Sequence, residues 1–259
     1  MHDEDLALAI SAAHSAGDLL MELWSEREGL TVSSKRAGDF VSEADTTSEN
    51  HLREVLLAGQ QDDHWLGEEG GAHGQGSRRW IVDPLDGTTN FLRGIPHWSV
   101  SIALEVDGEL TVGVVHDPVH KETFAAKLGG GATLNGVAIK PSDTTVFGSA
   151  LFGTGVPFGT MAHIEDTTSQ IARLMPHCAG IRRMGSAALD LAYVACGRLD
   201  GFWERRLQLW DIAAGLLILR EAGAVVEGFD PLESPEVSGS VVCGNKALFA
   251  DFSGYLRSN

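Results

Sequence analysis

At 259 residues, with 43% apolar and 21% charged residues, the chain has the size and balance of one large domain or two closely packed halves. Its formal net charge of −17 argues against duplex nucleic acid or an anionic membrane as the main partner, since both require clustered Lys and Arg. Cys178, Cys196 and Cys243 are odd in number and lack CxxC spacing, which disfavours a disulfide framework or a structural zinc site and favours a reducing, cytoplasmic compartment.

The N-terminus, MHDEDLALAI, starts acidic rather than as a signal peptide, and no run of 18 apolar residues predicts a membrane span. Leu6, Ile10, Ala13, Gly17, Leu20 and Trp24 recur at helical spacing and predict an amphipathic helix over 4–24. A short strand is expected at 31–35 and a second helix over 42–59, with Gly59 as its stop. HWLGEE reads as a strand ending in acid, and GGAHGQGS as a loop. RWIVD, HWSVSIALEVDG, LTVGVVHDP and KETFAAKLGG read as strands punctuated by Asp-Gly and Gly-Gly turns. LGGGATLNG lacks the GK[ST] of a Walker motif and reads as a hairpin turn.

Beyond Gly148 strands alternate with helices. ALFGTGV, GIRRMG, LDGFWE and AVVEGF read as strands. IEDTTSQIARLMPHC, SAALDLAYVACG (starting at Ser186) and DIAAGLLILREAGA (stopping at Gly223) read as helices. The expected organisation is an N-terminal α+β half over 1–145 and a C-terminal α/β half over 146–259, in one compact unit without internal repeats.

The chemistry concentrates at ends of elements. Asp83 and Asp86 stand three apart in WIVDPLDGTTNF, where Pro84 is expected to end the strand because it cannot donate to a sheet ladder. Glu68 lies fifteen residues upstream in GEE, and Asp211 opens a helix. Neighbouring carboxylates repel and raise each other's pKa unless something neutralises them. Gly87 allows close backbone approach, and the amides of Gly87 and Thr88 at a helix start suit a phosphate oxygen. Carboxylates beside exposed amides fit hard divalent cations, which take oxygen ligands. Acids near turns are more often solvated or capping, so spacing alone leaves both readings open.

The segments GEE at 67–69, WIVDPLDGTTNF at 80–91 and WDIAAG at 210–215 resemble the inositol monophosphatase family of lithium-sensitive, magnesium-dependent phosphatases. KRAGDFVSEAD at 35–45 and GSAALDLAYVACGRLDGFWE at 185–204 extend the resemblance over nearly the whole chain. It implies a five-layered αβαβα sandwich and a homodimer. It also implies that Glu68, Asp83, Asp86, Asp211 and the Leu85 carbonyl hold two to three Mg²⁺, with Asp83 bridging. Thr88 would orient the attacking water, Asp45 would polarise Thr88, and Glu68 would assist catalysis through its metal. Asp86, Gly87, Thr88 and Asp211 would also contact substrate, while Gly185, Ser186, Ala187 and Glu204 line the sugar pocket. Lys35 and Asp39 would lie on a mobile loop supporting the third metal.

Other signals carry less. Pro118 separates His116 from His120, so they form no helical metal pair, and Cys196 reads as core. Arg183, next to the GSAA segment, would support either the pocket or a dimer contact. The implied substrate is myo-inositol monophosphate. L-histidinol phosphate, fructose 1,6-bisphosphate and 3′-phosphoadenosine nucleotides are rivals on the same scaffold. A regulatory role with the transcription machinery is the alternative of another class.

Overall fold

The computed structural model describes residues 2–36, 39–59, 62–156 and 164–257; the side chains of residues 33–41 lie outside the description. Helix α1 (Asp3–Ser25) leads into a two-stranded antiparallel pair, β1 (Val32–Arg36) and β2 (Asp39–Ser42), then α2 (Glu43–Leu56). Strands β3 (His64–Gly67), β4 (Gly71–His73) and β5 (Arg78–Asp86) follow, with the short helix α3 (Thr88–Arg93) next. Then come β6 (Ser99–Val106), β7 (Glu109–Asp117), β8 (Glu122–Lys127), β9 (Ala132–Leu134) and β10 (Val137–Ala138). Together β3 to β10 form an eight-stranded sheet in the order β10-β9-β8-β7-β6-β5-β3-β4.

A second sheet is built from β11 (Leu151–Thr154), β12 (Gly180–Arg182), β13 (Gly201–Glu204), β14 (Val225–Glu227) and β15 (Val241–Gly244), ordered β12-β11-β13-β15-β14. Its interleaved helices are α4 (Ile164–Leu174), α5 (Ala187–Ala195), α6 (Leu209–Ala222), the short α7 (Pro235–Ser238) and α8 (Phe249–Arg257).

Three apolar cores separate five layers. Ala9, Ala12, Ala13, Ala16 and Leu20 of α1 pack with Leu52 and Leu56 of α2 on the outer face of the large sheet. Helices α5 and α6 fill the space between the sheets, their Leu189, Leu191, Ile212 and Leu216 meeting Ile81 and Ala103 on one side and Phe202 and Cys243 on the other. Phe152, Leu174, Trp203 and Phe252 join the small sheet to α4 and α8. The expected αβαβα sandwich is therefore the observed one. Among the described residues α1 is long and apolar enough by composition to cross a membrane, but its alanine face is buried against the sheet.

Several expectations shift locally. The strand carrying Asp83 does not end at Pro84. It continues to Asp86 through a bulge, with Asp83 opposite Ser101 and Asp86 opposite Ser99, so the bulge absorbs the missing proline N–H. Gly71–His73, expected as loop, pairs as the edge strand β4. Ala132–Leu134, expected within a turn, pairs with β8. Lys35, within the strand expected at 31–35, stands on β1, and Asp39 opens β2. The fourth helix stops at Leu174 and passes into a 3₁₀ turn at Met175–His177, where Pro176 cannot extend an α-helix.

Close contact between α6 and β7 requires glycine at Gly113, where an added Cβ would lie 2.7 Å from the Ala214 carbonyl oxygen. Gly113→Ala should therefore destabilise the protein by about 1–3 kcal/mol, seen as a lower urea midpoint at unchanged m-value. Gly29→Ala, where nothing stands within 4 Å of the added carbon, should shift stability by less than about 0.5 kcal/mol. Equal effects would show that α6 does not rest on this backbone.

Candidate active site

The register of the large sheet explains why four acids meet. β3 runs parallel to β5 with Gly67 opposite Val82, so Glu68, the next residue, emerges beside Asp83. The bulge at Pro84 carries Asp83, Leu85 and Asp86 around the end of β5. Asp211 arrives from the other side, in the first turn of α6, which packs on β5, β6 and β7.

Each acid on β5 and α6 is fixed by a backbone amide. The Leu85 N–H donates to Asp83 Oδ1 at 3.0 Å, the Ala188 N–H to Asp86 Oδ2 at 2.8 Å and the Gln208 N–H to Asp211 Oδ2 at 2.7 Å. Asp86 Oδ2 also accepts from Ser186 Oγ at 2.6 Å, and Ser186 is the N-cap of α5. Asp86 thus sits where the positive end of a helix favours a negative charge.

Gly87 turns the chain at φ 92°, and an added Cβ there would stand 3.1 Å from the His97 carbonyl oxygen and 3.3 Å from that of Gly185. Thr88 opens α3, its hydroxyl within donating distance of Asp45 Oδ1 at 2.8 Å and the Leu85 carbonyl at 3.1 Å. Asp45, in the first turn of α2, also accepts from the Ser42 N–H and hydroxyl at 2.8 and 2.6 Å. Gly185, Ser186 and Ala187 form the entry to α5, with Gly185 at φ 91°. Glu204 ends β13. Its carboxylate would lie 2.0 Å from a Cβ placed on Gly155, so glycine is required there for Glu204 to keep its position.

Electrostatics set this cluster apart. Burial pushes Asp83 well above the ordinary carboxylate range, and repulsion from Glu68, Asp86 and Asp211 pushes it further. Asp211 rises well above its usual value for the same two reasons, burial first and Asp86 next. Burial lifts Asp86 to about 6, against the opposing bonds from Ser186 and the amides of Ala188 and Ala187. Burial lifts Glu204 to about 8, with Arg183 opposing and Asp86 adding repulsion. Asp190 on α5 rises too, through burial and then Glu204 and Asp86. Arg183 is the cation acting on Asp86, Asp190 and Glu204.

The donor chemistry fits a hard divalent cation. Every candidate ligand is an oxygen, and buried like charges are what a bound cation would relieve. Among the described residues no group of three or more His, Cys, Asp or Glu side chains is drawn together in the way that holds a metal ion; the case for a cation rests on the oxygen donors and on the burial of like charges.

The structure brings Glu68, Asp83, Leu85, Asp86, Gly87, Thr88, Asp45, Gly185, Ser186, Ala187, Glu204 and Asp211 to one end of the sheet interface. The side chains of Lys35 and Asp39 fall outside the described residues. Sequence reasoning passed over Ser99 and Ser101 on β6, which tie the helix starts to the sheet: Ser99 Oγ lies 3.5 Å from Ser186 Oγ, and Ser101 Oγ donates to the Trp210 carbonyl at 3.4 Å. It also passed over buried Asp190, whose signal was an acid on the apolar face of a helix, four residues after its N-cap.

Comparison with known proteins agrees with this geometry. The model of the inositol monophosphatase family matches residues 1–257. An inositol-1-monophosphatase of Rhizobium meliloti (strain 1021) is 45% identical over 245 residues, covering 94% of this chain and 92% of the relative. A Nus factor SuhB of Pseudomonas aeruginosa is 41% identical over 250 residues, covering 94% of this chain and 92% of that protein. The crystal structure of the extragenic suppressor protein suhB from Bartonella henselae has a TM-score of 0.96 at 37% identity, covering 99% of this chain and 100% of that one.

The raised carboxylates predict a pH signature. An acid whose folded pKa lies above its unfolded value binds more protons when folded, so the metal-free protein loses stability as pH rises from about 4 through about 6, on the order of 1.4 kcal/mol per unit of displacement. Asp83→Asn should flatten that decline and raise metal-free stability while abolishing the thermal gain from Mg²⁺. Parallel stability profiles in the two proteins would contradict the cluster as described.

Proposed function

The chain belongs to the inositol monophosphatase family, and on that premise we propose that it is a Mg²⁺-dependent phosphomonoesterase that hydrolyses myo-inositol monophosphate to inositol and phosphate. The observation that carries the reading is the set of buried, mutually repelling carboxylates beside the Gly87–Thr88 turn. Glu68, Asp83, Asp86, Asp211 and the Leu85 carbonyl would hold two to three Mg²⁺. When bound, the cations would neutralise phosphate, activate a water and stabilise the leaving alkoxide. Lithium sensitivity, a homodimer and a cytoplasmic location belong to the same reading.

The chain's own groups have distinct tasks. The amides of Gly87 and Thr88, at the start of a helix, would receive phosphate oxygens. The Thr88 proton is engaged by Asp45, which leaves the hydroxyl's lone pairs to accept from the attacking water. Burial raises the Asp45 pKa, so a proton passed along this pair meets a better acceptor than an exposed aspartate.

Burial raises the Glu204 carboxyl to about 8 in the metal-free protein. In the same reading Glu204 lines the sugar pocket, where a carboxyl group can accept hydrogen bonds from the ring hydroxyls of a polyol. Phosphate release from a panel of monoesters at millimolar Mg²⁺ tests this, with myo-inositol 1-phosphate expected to exceed L-histidinol phosphate, fructose 1,6-bisphosphate and 3′-phosphoadenosine nucleotides in kcat/KM. A preference for L-histidinol phosphate would overturn the substrate assignment and keep the phosphatase.

The Nus factor relative gives a second reading, a regulatory partner of the transcription machinery. The net charge of −17 disfavours direct RNA contact, and the full set of acids favours turnover. Co-purification with antitermination factors and no turnover of any panel member would reverse the order.

Thr88→Ala should lower kcat by about 10²–10⁴ with little change in KM or Mg²⁺ dependence, since alanine keeps the backbone N–H. Asp45→Asn should cost less, and the double variant should fall short of the product because both act on one water. Steady-state kinetics decide; a raised KM at unchanged kcat would make Thr88 a substrate clamp.

A further inference from the structure

Glu49 is a buried acid, 5% exposed, that takes no part in the proposed chemistry. Its carboxylate accepts from two consecutive backbone amides, the Glu69 N–H at Oε2 and the Gly70 N–H at Oε1, both at 2.7 Å. Those amides belong to the turn that follows Glu68.

The two glycines flanking this turn make room for the same carboxylate. A Cβ on Gly67 would stand 2.5 Å from the Trp65 indole nitrogen and 2.6 Å from the Glu49 carboxyl carbon, and a Cβ on Gly70 would stand 2.6 Å from Oε1. Gly-Glu-Glu-Gly at 67–70 is therefore shaped around a side chain eighteen or more residues upstream.

Glu49 also shares a helix face with two other supports. Asp45 and Ser48 precede it by four and one residues on α2. Asp45 holds the Thr88 hydroxyl at 2.8 Å, and Ser48 Oγ donates to the Pro84 carbonyl at 3.0 Å, on the bulge between Asp83 and Asp86. One rigid helix thus touches three separate segments: the Glu68 turn, the β5 bulge and the start of α3. A helix fixes the spacing of side chains at i, i+3 and i+4, so it also fixes the spacing of the segments they hold.

We propose that Glu49 is a positioning residue for the metal site. By clamping the amides of Glu69 and Gly70 it sets the backbone of Glu68 relative to Asp83, and α2 serves as the common template for Glu68, the Asp83–Asp86 bulge and Thr88. This rests on the reading of Glu68 and Asp83 as cation ligands. A glutamine at 49 presents one acceptor and one N–H₂ group, so it can hold one amide and must turn a donor toward the other. The turn then loses half its clamp while every ligand remains.

The test is Mn²⁺ affinity, measured by electron paramagnetic resonance on the full chain without substrate. Loss of an outer partner of a metal site typically costs about 10–100-fold in metal affinity. Glu49→Gln is expected to weaken Mn²⁺ by that range, and the half-saturating Mg²⁺ for turnover should rise in step while kcat recovers at high Mg²⁺. Gly70→Ala removes no ligand and no acceptor, and should weaken Mn²⁺ in the same direction by displacing the Glu49 carboxylate. It also decides the matter if Glu49→Gln does not fold. In a Glu68→Gln background the Glu49→Gln change should add little, because Glu49 acts through Glu68.

A variant that is merely less stable would show a lower Tm with unchanged Mn²⁺ affinity, and that result overturns the proposal. If Asp83→Asn loses Mn²⁺ while folded Glu49→Gln or Gly70→Ala binds it like the wild type, the inference falls and the metal site stands. If the wild-type chain binds no Mn²⁺, both fall together.

Discussion

The structure depends on one electrostatic constraint: Asp83, Asp86 and Asp211 are buried beside one another and beside Glu68, so that burial, joined at Asp83 and Asp211 by repulsion from the neighbouring acids, works against their charged forms. Nothing in the apolar packing favours such a cluster, so the chain must hold it by other means. It does so with backbone amides. Asp83, Asp86 and Asp211 each receive an N–H from a turn or a helix start, and such bonds to a charged acceptor are among the stronger ones in a protein. Repulsion is thereby converted into a fixed arrangement.

The layers supply the rigidity behind those amides. Helices α5 and α6 are apolar almost all round because both sheets cover them, and their N-termini meet at the end of β5. Ser186 and Ser99 join α5 to β6, and Ser101 joins β6 to the residue before Asp211. On the far side, α2 reaches the same place through Asp45, Ser48 and Glu49. The site therefore lies where two helix layers grip one bulged strand. A rigid surround of this kind suits phosphoryl transfer, in which catalysis is mostly positioning and charge neutralisation.

Much of this was legible in the sequence. The amphipathic spacing of α1, the Ser186 and Gly223 boundaries and the alternation beyond Gly148 were local signals, and local signals survive folding. The acids at the ends of β3 and β5 and at the start of α6 stood out because carboxylates beside apolar runs need a reason. The strand through Pro84 was less legible, because a proline argues for an end and only the partner strand reveals a bulge. Strand β15 and helix α8 went unread: Val241–Gly244 is short, and Phe249–Arg257 follows it with only a modest apolar pattern. Glu49 was hidden for another reason. Its partners are backbone amides in a distant turn, and backbone partners leave no mark in composition or spacing.

The central claim is that these carboxylates form a divalent-cation site whose occupation favours their ionised forms. Calorimetric titration of Mg²⁺ into the metal-free protein near pH 6, repeated in two buffers of different ionisation enthalpy, tests it directly. The account predicts binding accompanied by proton release, because a cation favours the ionised forms of Asp83, Asp86 and Asp211, so the measured heats should differ between buffers. Absence of binding, or binding with the same heat in both buffers, would contradict it.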